Sequence, residues 1–383
     1  MDIDYDIELR KGVGLHNIGN TCFMNSALQI IIHCDVLSNY MLSNNFKTRL
    51  ATTYKNFLEE YSASKKSIVP VDVKGIMGKK FKRFVGFGQE DSHEFLIEFL
   101  DYLEEDIKKE DVPDNEKKLI SRLFDCEMKT IIKSLESNER SSHKENVRFL
   151  CVSIPNQQTI TLEDCLRNFI SMEKLDKDRL WETPSKKMEK AVKVSYITRF
   201  PKYLAFQVKR YNYKKGTGGS KLSTNIEIQD TWTSDMFGDG ISYDLKGFIF
   251  QTGSLSGGHY TSYVKINNKW YCFNDSSVSK IEDHLALKVA TKAYMVLYVK
   301  NEHFNLFDEE GNNSDSSEKK FKQIMECQIN KLQGDENTKS GSESESESDL
   351  ESDNDIIIKS KKKPSKRQKR EERRKRKYVL KSS

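Results

Sequence analysis

Two stretches of the sequence hold residue types that could work together as a nucleophile and its base. In "GLHNIGNTCFMNSALQIIIHC", residues 14–34, Cys22 follows a glycine and a polar run and opens an apolar stretch without helix breakers. Thr21 or Asn20 is expected to cap a helix whose first turn carries Cys22. Free N–H groups and aligned peptide dipoles at that end favour an anion. The thiol is therefore expected to lose its proton more readily than an ordinary cysteine, and the thiolate is the nucleophile. Phe23, Ala27, Ile30, Ile31 and Cys34 recur at helical spacing behind it, so the helix is expected to be buried and to hold its first residue still. Taken alone, such a cysteine reads as a core residue. Cys34, Cys126, Cys151 and Cys165 are read that way, or as surface bystanders.

A cysteine nucleophile needs a base, and the base needs an orienting partner. Of seven histidines, His259 stands out in "SGGHYTSYVKINNKWYCFNDSSV", residues 256–278. Two alternating strands flank Asn267-Asn268, a pair suited to a two-residue turn with positive φ. In that register facing residues sum to 535, so His259 faces Ser276, Asn274 is its diagonal neighbour, and Asp275 points to the other face. A three-residue loop would instead put Asp275 beside His259. The register thus favours Asn274 as orienter with Asp275 close by. His16, His33, His93 and His143 are read as structural.

These residues must be positioned by the elements around them. Residues 14 to about 125 read as mostly helical. In "QEDSHEFLIEFLDYLEEDI", 89–107, Phe95, Phe99, Leu103 and Ile107 recur every four residues, with Leu96 and Leu100 beside them. Asp91 and Glu94 have capping-box spacing at its start. From about 145 to 300, β-branched and aromatic runs separated by Gly, Asn and Pro read as strands. From about 305 the composition is Ser, Glu, Asp, Lys and Asn, and is expected to be disordered apart from a short helix around 317–332.

Several motifs in one order resemble a known family. "GLHNIGNTCFMNSALQ" resembles the cysteine box of the ubiquitin-specific proteases, "GGHYTSYV" with "NKWYCFNDSSV" their histidine box, "QEDSHEFL" the segment between, and "RFPKYLAFQVKRY" their palm strand. The resemblance implies an α+β, papain-like hand over residues 12–303, with a helical thumb (about 12–125) and a β-rich palm and fingers (about 126–303), followed by a tail, 304–383. It implies a thiol-dependent deubiquitinase that hydrolyses bonds at the C-terminal glycine of ubiquitin, with ubiquitin and ubiquitinated proteins as partners. Cys22 matches the nucleophile, His259 the general base, Asn274 the orienter and Asn17 the oxyanion-hole side chain. Gln89 and Asp91 match positions lining the channel for ubiquitin's basic, glycine-ended tail, and Asp91 equally reads as a helix N-cap. Gly257 and Gly258 fit a passage too narrow for side chains. Alternatives are a catalytically weak or dead ubiquitin-binding scaffold and a protease for another ubiquitin-like modifier. One departure is plain. Many members carry two C-x-x-C pairs that bind zinc in the fingers, whereas "KSLESNE", 133–139, and "RLWETPSKKME", 179–189, contain no cysteine. No metal and no other cofactor are therefore expected.

Charge and cysteine usage bound the setting. Residues 341–355 hold seven acidic and no basic residues, and 359–381 hold fourteen basic and two acidic. With both runs set aside, the 63 basic and 58 acidic residues fall to 49 each. The body is neutral and makes no case for nucleic-acid binding. Seven cysteines, an odd number without C-x-x-C, suggest reducing conditions. The start, "MDIDYDIELR", is not read as a signal peptide, and no apolar run is long enough to span a bilayer. A monomer without membrane contact is expected. The basic run reads as an address for the nucleus or nucleolus through an import receptor, or as an anchor for RNA, with the cytoplasm as the remaining compartment. A chain ending at residue 340 should keep its turnover of a small C-terminal ubiquitin reporter within a few-fold and, on imaging, shift from nucleus toward cytoplasm. A large loss of turnover, or unchanged location, contradicts this division of labour.

Overall fold

Polar side chains on an otherwise apolar helix decide how the first third of the chain packs. The structure, a computed structural model, describes residues 12–301 apart from 215–217, 238–240 and 255–256. The expectations placed on the tail, its two charged runs and its short helix fall outside the described residues. The helix Cys22–Ile32 is buried along its whole length, as an element that is apolar on nearly every side must be. Ser26 and Gln29 are tied to their surroundings. Ser26 Oγ donates to the Phe23 carbonyl (3.0 Å) and lies 3.2 Å from Ser92 Oγ. Gln29 Nε2 donates to the Val13 carbonyl (2.7 Å), and Gln29 Oε1 accepts from Tyr61 (2.8 Å).

Four further helices, Asp35–Ser43, Arg49–Ala63, Val71–Lys80 and Ser92–Ile107, build a helical layer with it. The stripe expected on the last is buried at Phe95, Leu96, Phe99, Leu100, Leu103 and Ile107. Asp91 caps this helix, accepting from the N–H groups of His93 (2.7 Å) and Glu94 (3.1 Å). The reciprocal half of the expected box is not made. The Glu94 carboxylate pairs with Arg83 instead, and a charge-assisted bond is the stronger of the two.

The β layer begins at Cys126, earlier than the sequence texture suggests, and carries two helices the sequence does not announce, Leu162–Phe169 and Asp283–Ala290. Its main sheet runs Ser277–Ile281, Lys269–Asn274, Gly257–Ile266, Ser242–Ser254, Met295–Lys300, Tyr203–Val208 and Leu150–Val152, antiparallel except for the last pair. The cysteine helix lies on the three strands nearest the histidine. A side chain at Gly247 would come within 2.9 Å of Ile30 Cδ1. One core fills the space between helices and sheet, and a second lies around Phe206, Trp232 and Phe248 with the two added helices. The architecture is α+β. Among the described residues no helix is long and apolar enough to cross a membrane.

A second antiparallel sheet runs in the order Arg140–Val147, Cys126–Ser134, Ala191–Arg199, Glu173–Leu175. Its outermost strand, Arg140–Val147, is exposed almost throughout. That is why no apolar alternation marks it. The two cysteine-free stretches, 133–139 and 179–189, are tied by hydroxyls and carboxylates. Glu189 accepts from Ser134 (2.5 Å) and Ser137 (2.6 Å), Glu136 from the Lys190 N–H (3.0 Å), and Glu139 from the N–H (3.1 Å) and hydroxyl of Ser185. This donor set has neither thiol nor imidazole and does not fit a tetrahedral zinc site.

The hydroxyls of Ser134 and Ser137 hold the Glu189 carboxyl below its ordinary 4.5. A depressed folded value means that the contribution is present above the unfolded value and is lost as pH falls through the folded one. Glu189→Ala should therefore lower the thermal midpoint near neutral pH, and the gap to the unaltered protein should close on acidification. Hydrogen exchange should speed up in 126–147 and 191–199. Identical melting and exchange would show that the knot bears no load.

Candidate active site

The loop before Cys22 is organised from Asn17. Its Oδ1 accepts from the N–H of Gly19 (3.2 Å) and Thr21 (3.0 Å) and from the Thr21 hydroxyl (3.3 Å). Thr21 is the N-cap residue, but its side chain makes no capping bond. It turns back into the loop, where its oxygen accepts from the Ile18 N–H (3.0 Å). Asn20 has φ +52° and Gly19 φ +102°, and neither Thr21 nor Asn20 offers the side-chain cap expected from the sequence. The Asn20 amide goes to the Phe87 carbonyl (2.8 Å).

Cys22 is 3 % exposed. Burial pushes its thiol up from the ordinary 9.0, and the Asp275 charge adds to this. Hydrogen bonds from the Tyr260 and Phe23 backbones and from Gln89 oppose the shift without reversing it. The expectation of a readily lost proton is thus corrected for the free protein: taking the thiol out of water outweighs the donors at the helix end.

The hairpin that carries His259 has the two-residue turn. Asn267 and Asn268 have φ +48° and +57°, and the ladder runs from Ile266–Lys269 to Ser262–Phe273. His259 Nε2 lies 2.6 Å from Asn274 Oδ1. The residue after the histidine, Tyr260, presents its backbone N–H to Cys22. Among the described residues no hydrogen bond joins His259 to Cys22.

Asp275 is on the other branch of the site. With φ +50° it turns away from the histidine. Its Oδ2 accepts from Asn17 Nδ2 (2.9 Å), its Oδ1 from Asn25 Nδ2 (2.8 Å), and its carbonyl from the Leu15 N–H (2.9 Å). Asn25, which the sequence reading passes over, is the added member of this cluster. Its only signal in the sequence is a polar residue one helical turn after Cys22 in an apolar run.

Gln89 reaches from just before the Ser92–Ile107 helix to the strand Gly257–Ile266 and to Cys22. Its Oε1 accepts from the Gly258 N–H (2.8 Å), and its Nε2 donates to the Gly258 carbonyl and lies 3.9 Å from the Cys22 sulfur. A side chain at Gly258 would meet the Thr252 carbonyl oxygen at 2.2 Å, whereas at Gly257 the nearest atom would be Gln89 Oε1 at 4.0 Å. Asp91 is committed elsewhere: besides its cap, its Oδ2 accepts from Tyr294 (2.6 Å) and Tyr260 (3.5 Å). Of the other histidines, His33 is buried against the Gln29 carbonyl (2.7 Å) and burial lowers it to about 4. His93 is buried against Phe149 and Cys151.

Residues 13–298 match the family described as ubiquitin carboxyl-terminal hydrolase. The chain is 30 % identical over 328 residues to ubiquitin carboxyl-terminal hydrolase Usp2 of Drosophila melanogaster, covering 74 % of this chain and 34 % of the relative. To human ubiquitin carboxyl-terminal hydrolase 2 it is 28 % identical over 336 residues, covering 74 % and 54 %. It thus spans about a third to a half of the length of these relatives. Among solved structures it is similar to the SAGA Ubp8/Sgf11/Sus1/Sgf73 DUB module bound to ubiquitin aldehyde, with a TM-score of 0.66 and 25 % identity over 78 % of this chain and 71 % of that one.

Alkylation of Cys22 in the free protein should keep rising with pH beyond 9.0. Mass spectrometry of iodoacetamide-treated protein from about pH 6 to about pH 10 measures this. A plateau below neutral pH would mean a thiolate already formed against His259.

Proposed function

The chain belongs to the ubiquitin carboxyl-terminal hydrolase family, and from that premise we propose that it is a thiol-dependent deubiquitinase. Its substrates on this reading are ubiquitinated proteins, cleaved at the C-terminal glycine of ubiquitin. The observation that carries the proposal is the orientation of His259: Nε2 is engaged by Asn274, so Nδ1 is free to serve Cys22. In the reaction, ubiquitin's glycine-ended tail displaces the Gln89 amide and takes up the N–H and C=O of Gly258, as an added strand would. His259 accepts the Cys22 proton. The sulfur attacks the glycine carbonyl, and the oxyanion is held by the second N–H of Asn17 Nδ2 and by backbone N–H at the start of the cysteine helix. His259 then protonates the departing lysine amine. Water, deprotonated by His259, cleaves the thioester and returns the thiol.

Asp275 serves Asn17 in this scheme and Asn274 serves His259. Asp91 works chiefly as a cap and a tyrosine partner. The tail's basic run is proposed as a nuclear or nucleolar address.

Cys22→Ser should abolish turnover and labelling by a ubiquitin vinyl probe while ubiquitin still binds. His259→Ala should lower kcat by about 10²–10⁴. Labelling at another cysteine refutes the assignment. Preference for the probe of another modifier moves the substrate class, and binding without any labelling marks a scaffold.

A further inference from the structure

We infer that Asn25 is a positioning residue for the oxyanion site, acting through Asp275 on Asn17. The inference rests on the deubiquitinase reading above. Asn25 is 2 % exposed on the buried cysteine helix. Its amide nitrogen meets three acceptors: Asp275 Oδ1 at 2.8 Å and the carbonyls of Leu15 (3.2 Å) and His16 (3.3 Å). Because all three neighbours accept, only the nitrogen can face them, and the amide's orientation is fixed. Among the described residues its Oδ1 is buried without a hydrogen-bond partner. An apolar residue would avoid that penalty, so the site keeps Asn25 for what its nitrogen holds.

What it holds is one oxygen of a carboxylate whose other oxygen holds Asn17 Nδ2 at 2.9 Å. The three residues come from the cysteine helix, the turn after the histidine hairpin and the loop before Cys22. Each of these segments carries a different part of the proposed chemistry. Asn17 is itself exposed and is fixed on its oxygen side by the loop, so Asp275 is the contact that sets the direction of its N–H groups. Asp275 in turn sits at positive φ, a conformation that needs support from its surroundings. Asn25 supplies that support from the most deeply buried element of the site.

The test uses the full chain with Asn25→Ala and Asp275→Asn, each alone and combined with Asn17→Ala. Ubiquitin aldehyde is the probe. The Cys22 sulfur adds to its carbonyl carbon, the thiol proton passes to the oxygen, and that oxygen occupies the oxyanion position. Unmodified ubiquitin is the control. Asn25→Ala should reduce kcat on a C-terminal ubiquitin reporter by about 10²-fold, the loss expected when a catalytic group is misplaced by about an ångström. Affinity for the aldehyde should fall by a similar factor, and affinity for ubiquitin by less than about threefold. In the Asn17→Ala background the further loss should shrink to less than about threefold, because residues acting as one unit are not additive. Asp275→Asn keeps the volume but leaves one of the two amides without an acceptor. It carries the same expectations should Asn25→Ala fail to fold. Additive losses, or equal losses for aldehyde and ubiquitin, would overturn the inference and leave Asn25 a folding residue. An unaltered protein that binds aldehyde no more tightly than ubiquitin would remove the deubiquitinase reading first, and this inference with it.

Discussion

A missing side chain at residue 14 sets the distance on which the site depends. A Cβ there would lie 2.3 Å from the Ser276 carbonyl oxygen, so only glycine lets the backbone before Cys22 touch the backbone after Asn274. The Leu15–Asp275 bond beside it (2.9 Å) and the Asp275 carboxylate then join the two segments in register. Everything proposed for Cys22, His259 and Asn17 presumes this close approach. It is a steric constraint first and an electrostatic one second.

Burial holds the Cys22 thiol above its ordinary 9.0 in the free protein. The helix end, the Tyr260 N–H and the Gln89 amide would all welcome a thiolate, but the sulfur is dry and Asp275 is near. Burial wins because water solvates a thiolate better than a few fixed donors do. In the proposed mechanism the same donors become decisive once His259 has taken the thiol proton.

Much of this was legible in the sequence, and the reasons differ by element. Asn267-Asn268 fixed a register because a two-residue turn admits few geometries, and Asn274 follows from it. The Ser92–Ile107 helix showed its stripe because one face is buried and the other is not. Arg140–Val147 gave no signal, since a strand exposed on both sides needs no apolar period. Thr21 was misplaced because a hydroxyl can serve a loop as well as a helix, and only Asn17's competing oxygen decides which. The thiol's direction of shift was hidden because burial is a property of the whole fold, whereas helix position is local. Asn25 was overlooked for the same reason: its partner lies across the molecule.

Gln89 gives the free site a built-in competitor. Its planar amide already satisfies both hydrogen-bonding groups of Gly258, so no inhibitor meets a vacant surface there. The affinity of any compound aimed at Cys22 is a difference: its own bonds to Gly258 less those of an internal group held at high effective concentration. A purely apolar ligand would forfeit two half-buried hydrogen bonds on arrival. One that presents a donor and an acceptor side by side would exchange like for like, and the shape of that exchange is already drawn by the Gln89 amide.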